Sequence, residues 1–336
     1  MATYTGVADA NGDFIVPFLA SYTSGQKVTV TAEKEGATKT IELFAPSDVL
    51  GGGAIQFSGN MGNFPNNIGV ITLTDQIAGI VQANAMRASV NDFNMFYRAT
   101  GLIIEGAVTE FGDYAFADWR YASSLILPST LTKIGQYALL RFGNASTGDF
   151  NITLPNSVNT LDQYSFSYAN MKNFDLGTGV TIIPQQCFSY TNKLETFNYR
   201  NATTVKENAF YGSNLKYNYI PETVTTIEVG SYQHAKSVEV SIGAGVTSIP
   251  AYAFFQNTFC TKFTLGINVA SIASNSLSGL SACNELICQR ATPPTITADA
   301  LIGLKSTCVI KVPAASLAAY QAATNWSVHA SKMLGV

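Results

Sequence analysis

Charge is scarce in this chain. Of 336 residues, 19 are Lys or Arg and 22 are Asp or Glu, so 12% are charged, where ordinary globular domains carry roughly a quarter. The net charge is −3, and no Lys/Arg run breaks the pattern. That excludes the basic footprint of a nucleic-acid-binding protein. Hydrophobic residues make up 47% of the chain, yet polar residues interrupt every apolar run well short of the ~20 that a membrane span needs, so no membrane insertion is expected. Histidine is nearly absent: His234 and His329 stand alone and far apart. The 5 cysteines are an odd number, which excludes a complete intrachain disulfide framework. No metal site is expected, because ligands at short fixed spacing are missing.

Chemistry-bearing motifs are missing too. The run "GGGAIQ" (51–56) lacks the strand-loop-helix context of a nucleotide site and reads as a linker. Carboxylates are scattered with no close pair, although glycosidase carboxylates can lie far apart in sequence. No catalytic residue and no cofactor are therefore assigned, and an enzyme on this chain would need a carboxylate cluster on one face. The start, "MATYTGVADANGD", has neither the basic nor the apolar region of a secretory signal. A chain acting outside a cell would then have lost its signal or left by lysis. Thr, Ser, Asn, Gln and Tyr must supply the polar surface, a palette that suits β-rich extracellular and virion proteins.

What is present is repetition. "SIPAYAF" (248–254) carries an aliphatic residue, then Ile, then a small residue followed by a large one. The skeleton fits Val108–Phe111–Ala115–Phe116, Leu131–Ile134–Ala138–Leu139 and Val158–Leu161–Ser165–Phe166. It returns at Val180–Ile183–Cys187–Phe188, Ala202–Val205–Ala209–Phe210, Val224–Ile227–Ser231–Tyr232, Val246–Ile249–Ala253–Phe254 and Val269–Ile272–Ser276–Leu277, fading at Ile296–Ala300–Leu301. A step of about 22 residues held so steadily is a repeat architecture. Between copies lies a loose Leu-x-x-Leu-x-Leu phrase: "LETFNYR" (194–200), "LKYNYIP" (215–221), "CTKFTLG" (260–266) and "CNELICQ" (283–289). Its alternation predicts a short strand with one buried face. Turn residues such as Pro128, Pro155, Gly177, Pro221, Gly243 and Gly266 end it. One such unit cannot bury its apolar side alone, whereas stacked coils can.

The phrases "LPSTLTKIGQYAL" and "LPNSVNTLDQYSF" resemble the BspA-type leucine-rich repeats of bacterial surface proteins. The resemblance covers about residues 108–335. It implies a mainly β fold: a right-handed leucine-rich-repeat solenoid over 108–312. The segment "CVIKVPAASLAAYQAATNW" implies a last strand and a C-terminal helical cap, residues 313–336, over the open end. Asn218 and Ser237 depart from the pattern at ladder positions. Cys260 and Cys283 fall on the same rung of neighbouring coils and read as buried fillers, although a bond between them stays open. Cys187 stands in an Ala position. His234 falls on a surface bend. Tyr114, Tyr137, Tyr164 and Tyr252 form a stripe that either stacks on sugars or covers an edge.

The first hundred residues read differently. "KVTVTAEKEGATKTIELF" (27–44) predicts a β-hairpin around a Glu-Gly turn. Residues 1–46 resemble part of a bacterial or phage immunoglobulin-like domain and read as a small docking module. Residues 47–107 read as linker and N-terminal cap, with a decayed repeat at Ile80 or Val81 followed by Ala85–Met86.

The function expected is binding. Strand residues that point away from the core are the candidate ligand-binding face: Lys172, Asn173, Asp175, Glu195, Thr196, Asn198, Lys216, Tyr217, Tyr219, Glu239, Ser241, Thr261, Lys262 and Thr264. Its partner would be a host-surface protein or polysaccharide. The N-terminal module would dock on other virion or surface proteins, or on further copies in a homo-oligomer. Two extracellular settings stay open. One is a phage virion component, a tail or head fibre or decoration, that recognises the host surface. The other is a secreted or cell-surface bacterial adhesin that binds host proteins or glycans. Sequons begin at Asn144, Asn151, Asn201 and Asn325; they matter only on a eukaryotic secretory route.

Overall fold

A computed structural model describes residues 27–34, 37–44, 55–58, 69–74, 77–88 and 95–336. Over the described residues the chain is a mainly β solenoid, its strands mostly parallel, with one short α-helix. It divides into two compact units, residues 1–171 and 172–336. The expected hairpin forms: Lys27–Lys34 pairs antiparallel with Ala37–Phe44. The rest of the immunoglobulin-like reading of residues 1–46 lies outside the described residues.

In the first unit the template's Ile position becomes a ladder. Val81, Phe111, Ile134 and Leu161 stand opposite one another on parallel strands, and all are buried. Strands Val70–Leu73, Gly101–Ile104 and Leu125–Ile126 form a second parallel row. Val70–Leu73, Gly79–Val81 and Gly101–Ile104 thus pair as the repeats do. Inside the expected linker, Ile55–Ser58 lies antiparallel on Val70–Leu73. An antiparallel strand satisfies the hydrogen-bonding edge that a first parallel strand leaves open.

The second unit repeats the logic with wider strands. Asn173–Asp175, Thr196–Asn198, Tyr217–Ile220, Glu239–Ile242, Lys262–Leu265, Glu285–Cys288, Val309–Val312 and Met333–Gly335 follow one another in parallel pairs. Across the coil, short strands set Ile183, Val205 and Ile227 in register, and Ile249, Ile272 and Ile296. Between the two rows the rings of Phe188, Phe210, Tyr232 and Phe254 stack in a column at 5.3, 5.2 and 5.0 Å. Cutting Phe210 to Ala in such a column removes contacts on both sides, a loss of about 3–5 kcal/mol.

The bends that carry the small-plus-large pair have a backbone rule of their own. Residues with positive φ come in pairs four apart: Tyr114 and Asp118, Tyr137 and Arg141, Gln186 and Tyr190, Tyr252 and Gln256. Alternate N–H groups then point along the stack. Phe188, Tyr190, Phe210, Gly212, Tyr232 and His234 donate to carbonyls one coil on, while Ser189, Ala209, Tyr211 and Ser231 close turns within their own coil. The left-handed geometry costs an L-residue about 1–2 kcal/mol; the inter-coil bonds hold it in place. Gly occupies the second position of the pair at Gly212 and Gly279, where no Cβ opposes it.

Asn218 and Ser237 interrupt the apolar ladders, and each keeps a buried polar atom, Nδ2 and Oγ, without a partner among the described residues. Asn218 is fully buried and accepts a hydrogen bond at Oδ1 from the Tyr199 hydroxyl at 2.7 Å. That hydroxyl also lies 2.9 Å from the hydroxyl of Tyr232. Ser237 is equally buried, and its Oγ has no partner among the described residues. It occupies the rung that Leu194 and Leu215 fill upstream and Cys260, Cys283 and Cys308 fill downstream. All five cysteines are buried and free, so Cys260 and Cys283 are packing residues here, as is Cys187.

The C-terminal segment closes the last coil. The expected helix is shorter than its sequence suggests: the α-helical part is Leu317–Ala322, preceded by a 3-10 turn at Ala314–Ser316. Ala323 is already extended, and Asn325 has a positive φ of 61°. Tyr320 and Trp326 are fully buried and donate to the carbonyls of Arg290 and Pro294, both at 2.8 Å. Asn325 Nδ2 donates to Ile296 O at 2.7 Å. After Ser327–Lys332 the chain adds one more parallel strand, Met333–Gly335, beside Val309–Val312.

Two outcomes are expected. Gln256→Val, a branched residue at positive φ, will be about 1–2 kcal/mol less stable than Gln256→Gly in urea denaturation. The second concerns alkali. Burial pushes the Tyr199 and Tyr232 hydroxyls well above their ordinary 10.0, and pushes the Cys260 thiol from 9.0 up to about 12. The unfolded chain releases these protons at the ordinary values while the folded chain keeps them. Stability is therefore full below about pH 9 and falls as pH rises toward the folded values. A urea midpoint flat from about pH 7 to 8.5 and declining above it checks this. Tyr199→Phe with Cys260→Ala will make the decline shallower, while costing about 1–3 kcal/mol at neutral pH through the unpaired Asn218 oxygen.

Candidate functional site: the strand face of residues 172–336

Strand alternation decides which side chains this face presents. The inward row Phe174–Phe197 and Val240–Phe263–Leu286–Ile310 is buried. The outward residues form two rows, one residue per coil, at the ~4.8 Å spacing of neighbouring strands. Register sets Asn173, Thr196, Tyr217, Glu239, Lys262 and Glu285 in the first. The second has Asp175 beside Asn198, and then Tyr219, Ser241, Thr264, Ile287 and Lys311. Lys172, Glu195, Lys216 and Thr261 flank the first row, tied by backbone bonds from Glu195 N to Lys172 O and from Tyr217 N to Glu195 O. Ten of the fourteen candidate positions thus stand in the two rows, and the other four flank the first. Thr264 is only 9% exposed, with Ser241 and Ile287 on either side, which leaves little of it for a ligand.

Charge on the two rows is matched locally. Glu239, Lys262 and Glu285 stand opposite one another with alternating sign. Lys311 Nζ lies 2.6 Å from Glu285 Oε1, and this bond holds the Glu285 carboxyl below its ordinary value. Arg200 folds back to clasp Asp175 with both ends of its guanidinium, Nε at 2.8 Å from Oδ1. The hydrogen bonds from Arg200, from the Gly177 N–H and from Asn198 lower the Asp175 carboxyl below 3.8, against the opposing effect of its burial. Thr196 Oγ1 donates to Asn173 Oδ1 at 2.6 Å.

Near the middle stands an aromatic pair. The Tyr217 and Tyr219 rings lie 6.3 Å apart, with 22° between their planes, and Tyr219 is 54% exposed. Lys216 Nζ sits 5.4 Å from the Tyr217 ring centre. The Tyr219 hydroxyl donates to Glu239 Oε2 at 3.0 Å; partial burial first, and then this carboxylate, raise its pKa.

The other tyrosine stripe is spent on packing. Tyr114, Tyr137 and Tyr164 stack face to face at 4.7 and 4.6 Å, and the Arg87 guanidinium lies 4.9 Å over Tyr114. Rings that cover one another offer no face to a sugar. Tyr252 is 39% exposed and meets Phe255 edge-on. Glu285, Ile287 and Lys311 belong to the face although the sequence reading stopped at Thr264. Extending the "CNELICQ" register would have found the first two. Arg200 had no sequence signal, since it reaches the face only by folding back onto Asp175. Among the described residues, no group of three or more His, Cys, Asp or Glu could hold a metal ion, and no helix is long and apolar enough to cross a membrane.

A model of the BspA type leucine rich repeat region matches residues 90–215 and 203–304, in 6 copies. No curated protein matches the chain. Among solved structures, a leucine rich cell surface protein from Faecalibacterium prausnitzii A2-165 is similar over 78% of this chain and 87% of its own, at 17% identity and a TM-score of 0.44. The pneumococcal vaccine antigen PcpA is similar over 98% of this chain and 97% of its own, at 15% identity and a TM-score of 0.35. A leucine-rich repeat protein from Bacteroides ovatus covers 95% of this chain and 100% of its own, at 12% identity and a TM-score of 0.36.

The Asp175 clasp makes a pH prediction. A carboxyl lowered in the folded state stabilises it above the ordinary value of 3.8, and that contribution fades as pH falls through the folded value. In Arg200→Ala the Asp175 carboxyl will titrate closer to 3.8, as read by NMR of the side-chain carboxyl carbon.

Proposed function

Because the chain belongs to the BspA-type leucine-rich-repeat family, we propose that it is a non-enzymatic binding protein that works at an outer surface. It holds its partner through the strand face of residues 172–336. The observation that carries this reading is the pair Tyr217 and Tyr219 on one strand, facing outward in adjacent rows, with Tyr219 54% exposed. Tyr is favoured where proteins make contact, and solenoids use extended faces of this kind for recognition. The partner is a host-surface protein or polysaccharide.

Within that reading we place the chain on a virus particle, as part of a tail or head fibre or decoration. The low charge, 12% of residues, and the β-hairpin of Lys27–Lys34 and Ala37–Phe44 support this; the hairpin region serves as the docking module. A second setting, a bacterial cell-surface adhesin, draws support from the family itself, whose repeats occur in bacterial surface proteins.

Fractionating a culture of the source with an antibody to the chain separates the two. Co-sedimentation with particles, seen also by gold labelling, is the expected result. Recovery in the cell envelope with no particles would leave the adhesin. In either setting, Tyr219→Ala will weaken retention on the partner surface while leaving the unfolding free energy measured in urea within about 0.5 kcal/mol of the parent, since the side chain is largely exposed.

A further inference from the structure

We propose that the strand face takes a neutral polysaccharide, seated across Tyr217 and Tyr219 and running along the rows of neighbouring coils. This rests on the reading of that face as the binding surface and names its ligand class.

The first argument is charge. The charged side chains of the two central rows already answer one another: Asp175 with Arg200, Glu239 with the Tyr219 hydroxyl and with Lys262 opposite, and Glu285 with Lys311. An acidic peptide or a uronate or sulfated chain would have to break a pair or draw on Lys216, which already lies over the Tyr217 ring. A desolvated charge without a partner is costly. A neutral chain meets neither penalty.

The second argument is the kind of polar group on offer. The Asn198 amide is taken up by Asp175 and the Arg200 N–H, while Thr196 and Ser241 carry hydroxyls, which both donate and accept. Sugar hydroxyls do the same, so they can match this set without a fixed charge pattern. The third is the aromatic pair. Tyr219, 54% exposed and standing 6.3 Å from the Tyr217 ring, offers aromatic surface whose negative quadrupole attracts the C–H face of a pyranose. The hydroxyl of Tyr219, bonded to Glu239 at 3.0 Å, fixes that ring in place and lowers the entropy lost on binding. The fourth is periodicity. The face repeats once per coil, which suits a polymer of like units better than a compact ligand.

Affinity electrophoresis of the full chain tests this, run through gels holding neutral glucans, mannans, galactans or N-acetylglucosamine polymers, with polygalacturonate and heparin as acidic probes. Retardation by at least one neutral polymer is expected. It will be nearly unchanged between about 0.05 and 0.5 M salt, because no counterions are released. Tyr219→Ala will weaken it at least tenfold, while Thr226→Ala, on the other strand row, will not.

Retardation by acidic polymers alone, lost in salt, would overturn the ligand class. So would retention on whole envelope preparations through Tyr219 with no neutral polymer bound, an outcome that keeps the face. Neutral binding that Tyr219→Ala does not alter would overturn the face itself.

Discussion

A parallel coil leaves half of its backbone hydrogen bonds unmade until the next coil arrives, and everything else in this molecule depends on that pairing. Along the strands the bonds run from coil to coil. At the bends they do so as well, through alternate N–H groups, as when Phe188 and Tyr190 donate to Ala209 and Tyr211. The positive φ values at Tyr114, Tyr137 and Tyr252 follow from this constraint. A bend with only right-handed residues would turn those N–H groups inward on its own coil. The left-handed cost is local and the compensation comes from the neighbour, so no coil is stable by itself.

Fixed pairing also turns sequence columns into physical columns. Phe188, Phe210, Tyr232 and Phe254 stack because register leaves their rings nowhere else to go. The same rule makes a polar substitution a problem for its neighbours. Asn218 is answered on one side only: Tyr199, one coil earlier, supplies a hydroxyl to its Oδ1 at 2.7 Å, while its Nδ2 has no partner among the described residues, a cost the surrounding coils must offset. The free cysteines obey the same logic: Cys260, Cys283 and Cys308 continue a column that begins with leucines.

On the outside, register has the opposite consequence. It cannot bury the outward side chains, so it lays them out in rows. Opposite charges fall side by side at Glu239, Lys262 and Glu285, and two tyrosines stand on a stiff strand. Register organises the face in advance, which would lower the ordering cost of any binding there. The tyrosines of residues 1–171 show what happens when the same residue sits on a bend. There the side chains point along the stack, and Tyr114, Tyr137 and Tyr164 cover each other.

The repeat, the strand phrases, the hairpin of 27–44 and the identity of the outward rows were legible in the sequence by itself, because period and alternation are properties of the chain. The tertiary structure decided what depends on distance between coils. It set the stacking of the bend tyrosines, the clasp of Arg200 on Asp175, the near-complete cover of Thr264, and the hydroxyl that meets the Asn218 Oδ1. It also shortened the closing helix to Leu317–Ala322 and added the strand Met333–Gly335. Each of these joins residues some 20 or more apart along the chain, or answers to a neighbouring coil. A linear pattern records which residues recur, whereas the contact between one recurrence and the next exists only once the coils are stacked.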